Sequence, residues 1–221
     1  MAKKQVRETL KSKITKGYID YVLNFGKAPS NVYTFCKDLN IKEYQFYAEF
    51  GSIETIDNEI FSSFFTHTLE VLEKTPDYKE FESRDKLLSF YYTFFEVLKA
   101  NRSYVLAVLE NNKDILKSLN LLSTLRVKFR HYLEDFELNQ NNLKIEKLEE
   151  LQAKGTSEFF WSQLLVILKF WMNDSSANFE KTDVFIEKSI NTSFELMNTA
   201  PLNSIIDLAK FLYKEKINPV A

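Results

Sequence analysis

A single cysteine, Cys36, stands in 221 residues, so no disulfide can form within the chain. Nothing in its cysteine usage calls for an oxidising compartment. Four glycines and four prolines supply too little turn chemistry for a many-stranded sheet, which spends both residues on its hairpins. Long hydrophobic runs are also missing. The greasiest stretch, Phe159 to Met172, is interrupted by Ser162, Gln163 and Lys169 and falls short of the ~20 residues a membrane span needs. The opening MAKKQVRETLKSK lacks the apolar segment of a secretory leader. These absences predict an all-α, cytoplasmic protein without a membrane span.

Catalytic signatures are equally scarce. The two histidines, His67 and His131, are far apart in sequence, and each falls in a helical pattern where a hydrogen-bonded structural role is the ordinary one. Cys36 lies inward on a short helix, where a thiol is usually inert. No phosphate-binding glycine loop, zinc-ligand spacing or nucleophile elbow occurs, so no enzyme, metal or cofactor is expected.

What the chain does have is helical periodicity and an uneven charge. Apolar residues make up 45% of it, with 20 Phe among them. Residues 1–50 hold nine Lys and Arg against five Asp and Glu, and the remainder is acidic, for a net charge of −2. A basic head on an acidic body suits contact with phosphate, although a solvated basic tail would give the same balance. Leu10, Ile14, Tyr18, Tyr21, Val22 and Phe25 predict one amphipathic helix, stopped at Gly26. Ser30 is the expected N-cap of a second helix over 31–39, with Asn40 in a left-handed turn position. A third runs from about 42 to 50, with Phe46, Tyr47 and Phe50 inward. Further helices are expected over 56–74, 84–99, 102–110, 113–137, 143–154, 157–174, 180–197 and 202–214, with Gly155 and Pro201 as punctuation.

The first ~60 residues resemble the N-terminal domain of the TetR family of bacterial transcriptional regulators. The resemblance rests on the amphipathic first helix and Gly26, on Ser30, Phe35-Cys36 and the Leu39-Asn40-Ile41 turn, on Tyr47-Ala48-Glu49-Phe50, and on SIETI at 52–56. Asn40, Tyr44 and Ile53 depart from the family's usual residues. The resemblance implies a helix-turn-helix DNA-binding head at 1–50 and a helical ligand-binding and dimerisation body at 51–221. It implies operator DNA as partner, with Lys42, Glu43, Tyr44 and Gln45 facing the major groove and Tyr47 beside them. Phosphate contacts would fall to Lys3, Lys4, Arg7, Lys11, Lys37 and Lys42. Between Asn31 and Glu54, however, two lysines face four acidic residues, so the N-terminal arm would carry most of the phosphate neutralisation.

In the body, Phe61, Phe64, Phe65, Phe90, Tyr91, Phe94 and Phe95 sit in segments too apolar for one stripe. They either fill an ordinary core or wall a cavity for a hydrophobic small molecule or lipid, with His131 among its polar groups. The family resemblance implies a homodimer through the two long helices at about 157–174 and 180–197. A second, shorter resemblance, over residues 161–197, is to the TetR-like lipid-binding accessory proteins of ubiquinone biosynthesis. It rests on Asp174-Ser175-Ser176, Phe179, Thr182, Phe185 and Glu187-Lys188, and implies the alternative of a lipid or isoprenoid carrier whose head no longer binds DNA.

Overall fold

The computed structural model describes residues 9–111, 120–134, 136 and 146–197. Those residues are helical with short connections, and no strand occurs among them. The fold is all-α. The chain divides into two compact units, one of Met1–Leu69 with Phe94–Lys128 and one of Glu70–Thr93 with Phe129–Ala221. The expected boundary at residue 50 therefore falls inside the first unit.

In the first unit, α1 (Leu10–Phe25) begins at Thr9, whose side chain accepts the Ser12 N–H at 3.1 Å. It ends at Gly26, which takes the left-handed φ of 67° and donates its N–H to Val22 O. Ile14, Tyr18 and Val22, four residues apart, make its buried stripe. α2 (Val32–Asp38) is capped by Asn31, whose Oδ1 accepts the Thr34 N–H at 2.9 Å. Asn31 thus does the work expected of Ser30, because it is the residue whose carbonyl begins the helical ladder. Asn40 has the left-handed φ of 52°, as its sequence position suggested. α3 (Glu43–Glu49) follows at once.

These three helices close on aromatic rings. Phe35 of α2 meets Tyr18 at 6.2 Å, Tyr21 at 6.3 Å and Phe46 of α3 at 6.3 Å, each edge to face. Tyr47 was expected inward and is 54% exposed. Phe46 and Phe50, four apart, define the buried side of a seven-residue helix, and position 47 is turned about 100° away from Phe46. Gly17 is where α1 approaches the turn after α2. A β-carbon there would lie 2.2 Å from Cδ2 of Leu39.

The unit is completed by the residues up to Leu69 of α4 (Glu54–Leu72), the end of α5 (Ser83–Ala100), α6 (Arg102–Asn111) and the start of α7 (Ser123–Glu134). Asn58 of α4 reaches the beginning of α7, where its Oδ1 accepts from Ser123 Oγ at 3.1 Å. Its Nδ2 donates to Asn120 O at 3.1 Å.

The second unit holds the remainder of α4, α5 and α7, together with α8 (Glu146–Asn173) and α9 (Glu180–Met197). Two helices broken near Gly155 were expected. α8 instead runs through that glycine without a break. A lone glycine costs a helix only about 1 kcal/mol, less than the packing of a long apolar face provides. Phe90, Phe129, Tyr132 and Trp161 form the aromatic core of this unit, with Phe90 at 5.4 Å from Phe129 and 5.0 Å from Tyr132. Tyr91 is fully buried and donates its hydroxyl to Phe160 O at 3.1 Å. Gln163 of α8 donates to Ser189 O at 2.9 Å and Ser193 Oγ at 2.7 Å of α9.

The junction before α9 is built on Asp174. Its Oδ1 accepts from the N–H and Oγ of Ser176, and its Oδ2 from the N–H and Oγ1 of Thr182, all between 2.7 and 3.0 Å. Burial pushes this carboxyl up, but the four hydrogen bonds outweigh it and hold the pKa at about 2. Trp171 stacks near Phe179 at 6.0 Å, and Phe170 near Phe185 at 4.7 Å. The residues that carried the second resemblance thus include a helix-start network and its aromatic packing. The expected helix over 202–214 lies outside the described residues.

Candidate nucleic-acid interface

Of the residues expected at DNA, Lys3, Lys4 and Arg7 lie outside the described residues. The others can be followed one by one. Lys37, in the last turn of α2, is exposed, as are Lys42 and Glu43. Tyr44 is 74% exposed and Tyr47 54%, and Tyr33 on α2 is 63% exposed. Three tyrosines and two lysines are therefore free to meet a ligand from α2, the turn and α3, while the rings beneath them fix both helices.

Two of the expected contacts are engaged within the unit. Lys11 forms an ion pair with Glu59 at 2.7 Å, and its ammonium lies 5.9 Å from the centre of the Phe50 ring. Gln45 is half-buried and turns back, its Oε1 accepting the backbone N–H of Lys42 at 2.9 Å. That bond is one half of a capping box and satisfies a donor that the start of α3 leaves open. A carboxamide so placed keeps its NH2 free. To pair with both the N6 amino group and N7 of an adenine it must also offer the oxygen that now holds Lys42.

Behind α1 lies a buried carboxylate. Asp57, in the first turn of α4, accepts the Tyr18 hydroxyl on Oδ2 at 3.0 Å and the Tyr104 hydroxyl of α6 on Oδ1. It joins three helices of one unit. Burial raises the Asp57 carboxyl above its usual range, and the two tyrosine hydrogen bonds only partly oppose this. Both phenols are driven up, first by their own burial and then by the neighbouring carboxylate. The sequence showed no sign of this network, since its members are 39 and 47 residues from Asp57. Their helical faces were legible; their meeting was not.

The residues expected to meet a hydrophobic ligand are placed as follows. In the first unit, Phe61, Phe64, Phe65, Phe94 and Phe95 are all buried, and Phe61 packs on Phe64 at 5.9 Å and on Tyr104 at 6.3 Å. In the second, Phe90 and Tyr91 are buried. His131 is turned outward, its side chain 82% exposed and its Nδ1 2.8 Å from Glu134 Oε2. Position 131 falls on the outer side of α7, whose inward residues are Phe129 and Leu133. It does not join the buried rings of its unit. Among the described residues, no three His, Cys, Asp or Glu side chains are grouped to hold a metal. No described helix is long and apolar enough to cross a membrane.

Among the described residues a short, ring-clamped helix pair comes first and longer helices follow. A family model described as tetracyclin repressor-like, C-terminal domain, matches residues 86–212. With more than half its length matched, the chain belongs to the TetR family, the tetracycline-repressor-like proteins. No curated protein matches it.

Proposed function

We propose that the protein is a dimeric transcriptional regulator. α2, the turn at Asn40 and α3 form a helix-turn-helix that enters the major groove of operator DNA. The observation that carries the reading is the exposed set Lys37, Lys42, Tyr44 and Tyr47, standing on helices locked by Phe35 and Phe46. Tyr44 and Tyr47 would give phosphate and thymine-methyl contacts, and the lysines would neutralise phosphate, together with Lys3, Lys4 and Arg7. Lys11 would contribute only by leaving Glu59, and Gln45 only by leaving Lys42. Membership of the family supports both the regulator reading and the response to a small molecule.

Dimerisation would use α8 and α9. Phe159, Val166 and Phe170 on α8 and Val184 on α9 are large apolar side chains left 39–57% exposed, a surface that a second copy would cover. A twofold dimer sets two heads on half-sites about one DNA turn apart, ~34 Å. A hydrophobic effector that prefers the non-DNA arrangement would release the operator by differential binding.

The shortage of free positive charge on α3 favours the second reading, a TetR-fold lipid or isoprenoid carrier. One experiment separates the two: the purified full chain is incubated with sheared genomic DNA at moderate salt and the retained fragments are sequenced. Enrichment of a few sites with twofold symmetry supports the regulator. Uniform recovery or none, together with co-purifying lipid, would reject it.

A further inference from the structure

Beside Asp57 the first unit opens a cleft of about 690 Å3, within the range that takes a small organic ligand. Its apolar walls include Val22 of α1, Ile53 before α4, and Ala107 and Val108 of α6. Asp57 and Tyr18 line it as well. The carboxylate is 9% exposed and has two phenol hydroxyls as hydrogen-bond partners. Neither phenol carries a positive charge.

Buried carboxylates are normally paired with a cation, because hydrogen bonds from neutral donors only partly replace the lost water. Lys27 stands in the lining but makes no ion pair with Asp57, and Glu54, also in the lining, adds a second negative charge. A mostly apolar cleft whose wall carries Asp57 without an ion-pair partner, and whose two carboxylates outnumber its one lysine, has the chemistry of a site for an amphiphilic cation. We propose that this cleft binds a small organic ammonium or amidinium compound with a hydrophobic body, its cationic head on Asp57 and its body against Val22, Ile53 and Val108. None of the aromatic residues considered above as ligand contacts lines this cleft, and the proposal stands apart from the reading of the head as DNA-binding. Because Tyr18 shares the same carboxylate, the arriving cation adds a donor to a group that α1 already uses.

The test is calorimetric titration of the full chain with 4-phenylbutylammonium and with its uncharged counterpart 4-phenylbutan-1-ol. The ammonium is expected to bind below ~1 mM and at least about tenfold more tightly than the alcohol. Asp57→Asn should erase that preference. Ala107→Trp, which leaves Asp57 and both tyrosines intact, should block both compounds while the helical circular dichroism stays unchanged. Equal affinity for the two compounds, an ammonium affinity that Ala107→Trp does not move, or no heat up to several millimolar would each overturn the proposal.

Discussion

Gly17 and Leu39 meet so closely that a β-carbon on the glycine would stand 2.2 Å from Leu39 Cδ2, with Cγ at 3.2 Å. The first helix of the chain and the turn that sets α3 are therefore spaced by a missing methyl group. Replacing Gly17 by Ala would gain about 1 kcal/mol of helix propensity, against an overpacking cost of ~1–3 kcal/mol. The crowded atom is the free end of a half-buried side chain, which can turn aside. Gly17→Ala should accordingly change urea-unfolding stability by no more than ~1 kcal/mol. Gly17→Val, with two more carbons beside Leu39 and a weaker helix preference, should lose about 2 kcal/mol or more. The double variant Gly17→Val with Leu39→Ala should recover part of that loss.

The Tyr18–Asp57–Tyr104 network should behave as one unit. Tyr104→Phe removes a donor from a buried carboxylate and should destabilise by ~1–3 kcal/mol. Tyr18→Phe should do the same, and a double-mutant cycle should show coupling, since both bonds end on one group. Additive losses would mean that the two tyrosines act separately.

The two buried aspartates should respond to acid in opposite senses. Asp57 has a folded pKa raised above its unfolded value, so the folded state takes up its proton first. Its burden on stability is present at neutral pH and is relieved as pH falls through the folded pKa. Asp174 is held at about 2, below the ordinary 3.8. Its contribution is complete above the ordinary value and is lost as pH falls from there toward 2. Asp57→Asn should flatten the first dependence and Asp174→Asn the second, as followed by chemical unfolding between pH 2 and 7.

Helix starts, stops and buried stripes were the legible part of the fold. Gly26 and Asn40 act through their own backbone preferences, and Ile14, Tyr18 and Val22 through a period that any helix must obey. Local sequence is silent where a distant partner or a neighbour decides. Ser30 and Asn31 are both good caps, and only the helix register chooses Asn31. Tyr47 is aromatic and so suggests an inward side chain, yet Phe46 and Phe50 already take up the buried side of so short a helix. Gly155 looked like punctuation because its local cost is visible, whereas the packing that offsets it is not. At the candidate interface, the exposure of Tyr44, Lys37 and Lys42 was readable, but that of Tyr33 and Tyr47 was not, nor was the capture of Lys11 by Glu59 and of Gln45 by a backbone amide. Asp57 carries no local signal of its role, as its partners come from two other helices.

Gln45 gives a prediction that separates structure from reading. Gln45→Ala should cost about 0.5–1 kcal/mol of stability by removing half of the capping box. If the residue also reads a base, Gln45→Ala should relax operator preference at one position by more than that stability change explains. Lys42→Ala should instead weaken all sequences alike and lower the salt slope by about one. Fluorescence anisotropy with matched and substituted operators at several salt concentrations would check both.

Val166 on α8 and Val184 on α9 are 57% and 49% exposed, so charging them should disturb little within the chain. If these faces join two copies, Val166→Glu with Val184→Glu should give monomers in sedimentation equilibrium, with helical content retained. A dimer that persists would place the interface elsewhere.

Cys36 is 2% exposed, and burial pushes its thiol up, with Glu43 adding to the effect. A thiol kept protonated and out of reach is a poor target for peroxide or disulfide exchange. The chain's one sulfhydryl is therefore a poor sensor of oxidants. It also leaves a silent background, so a cysteine introduced at an exposed site such as Tyr44 would be the selectively reactive handle for a spin label or fluorophore on α3.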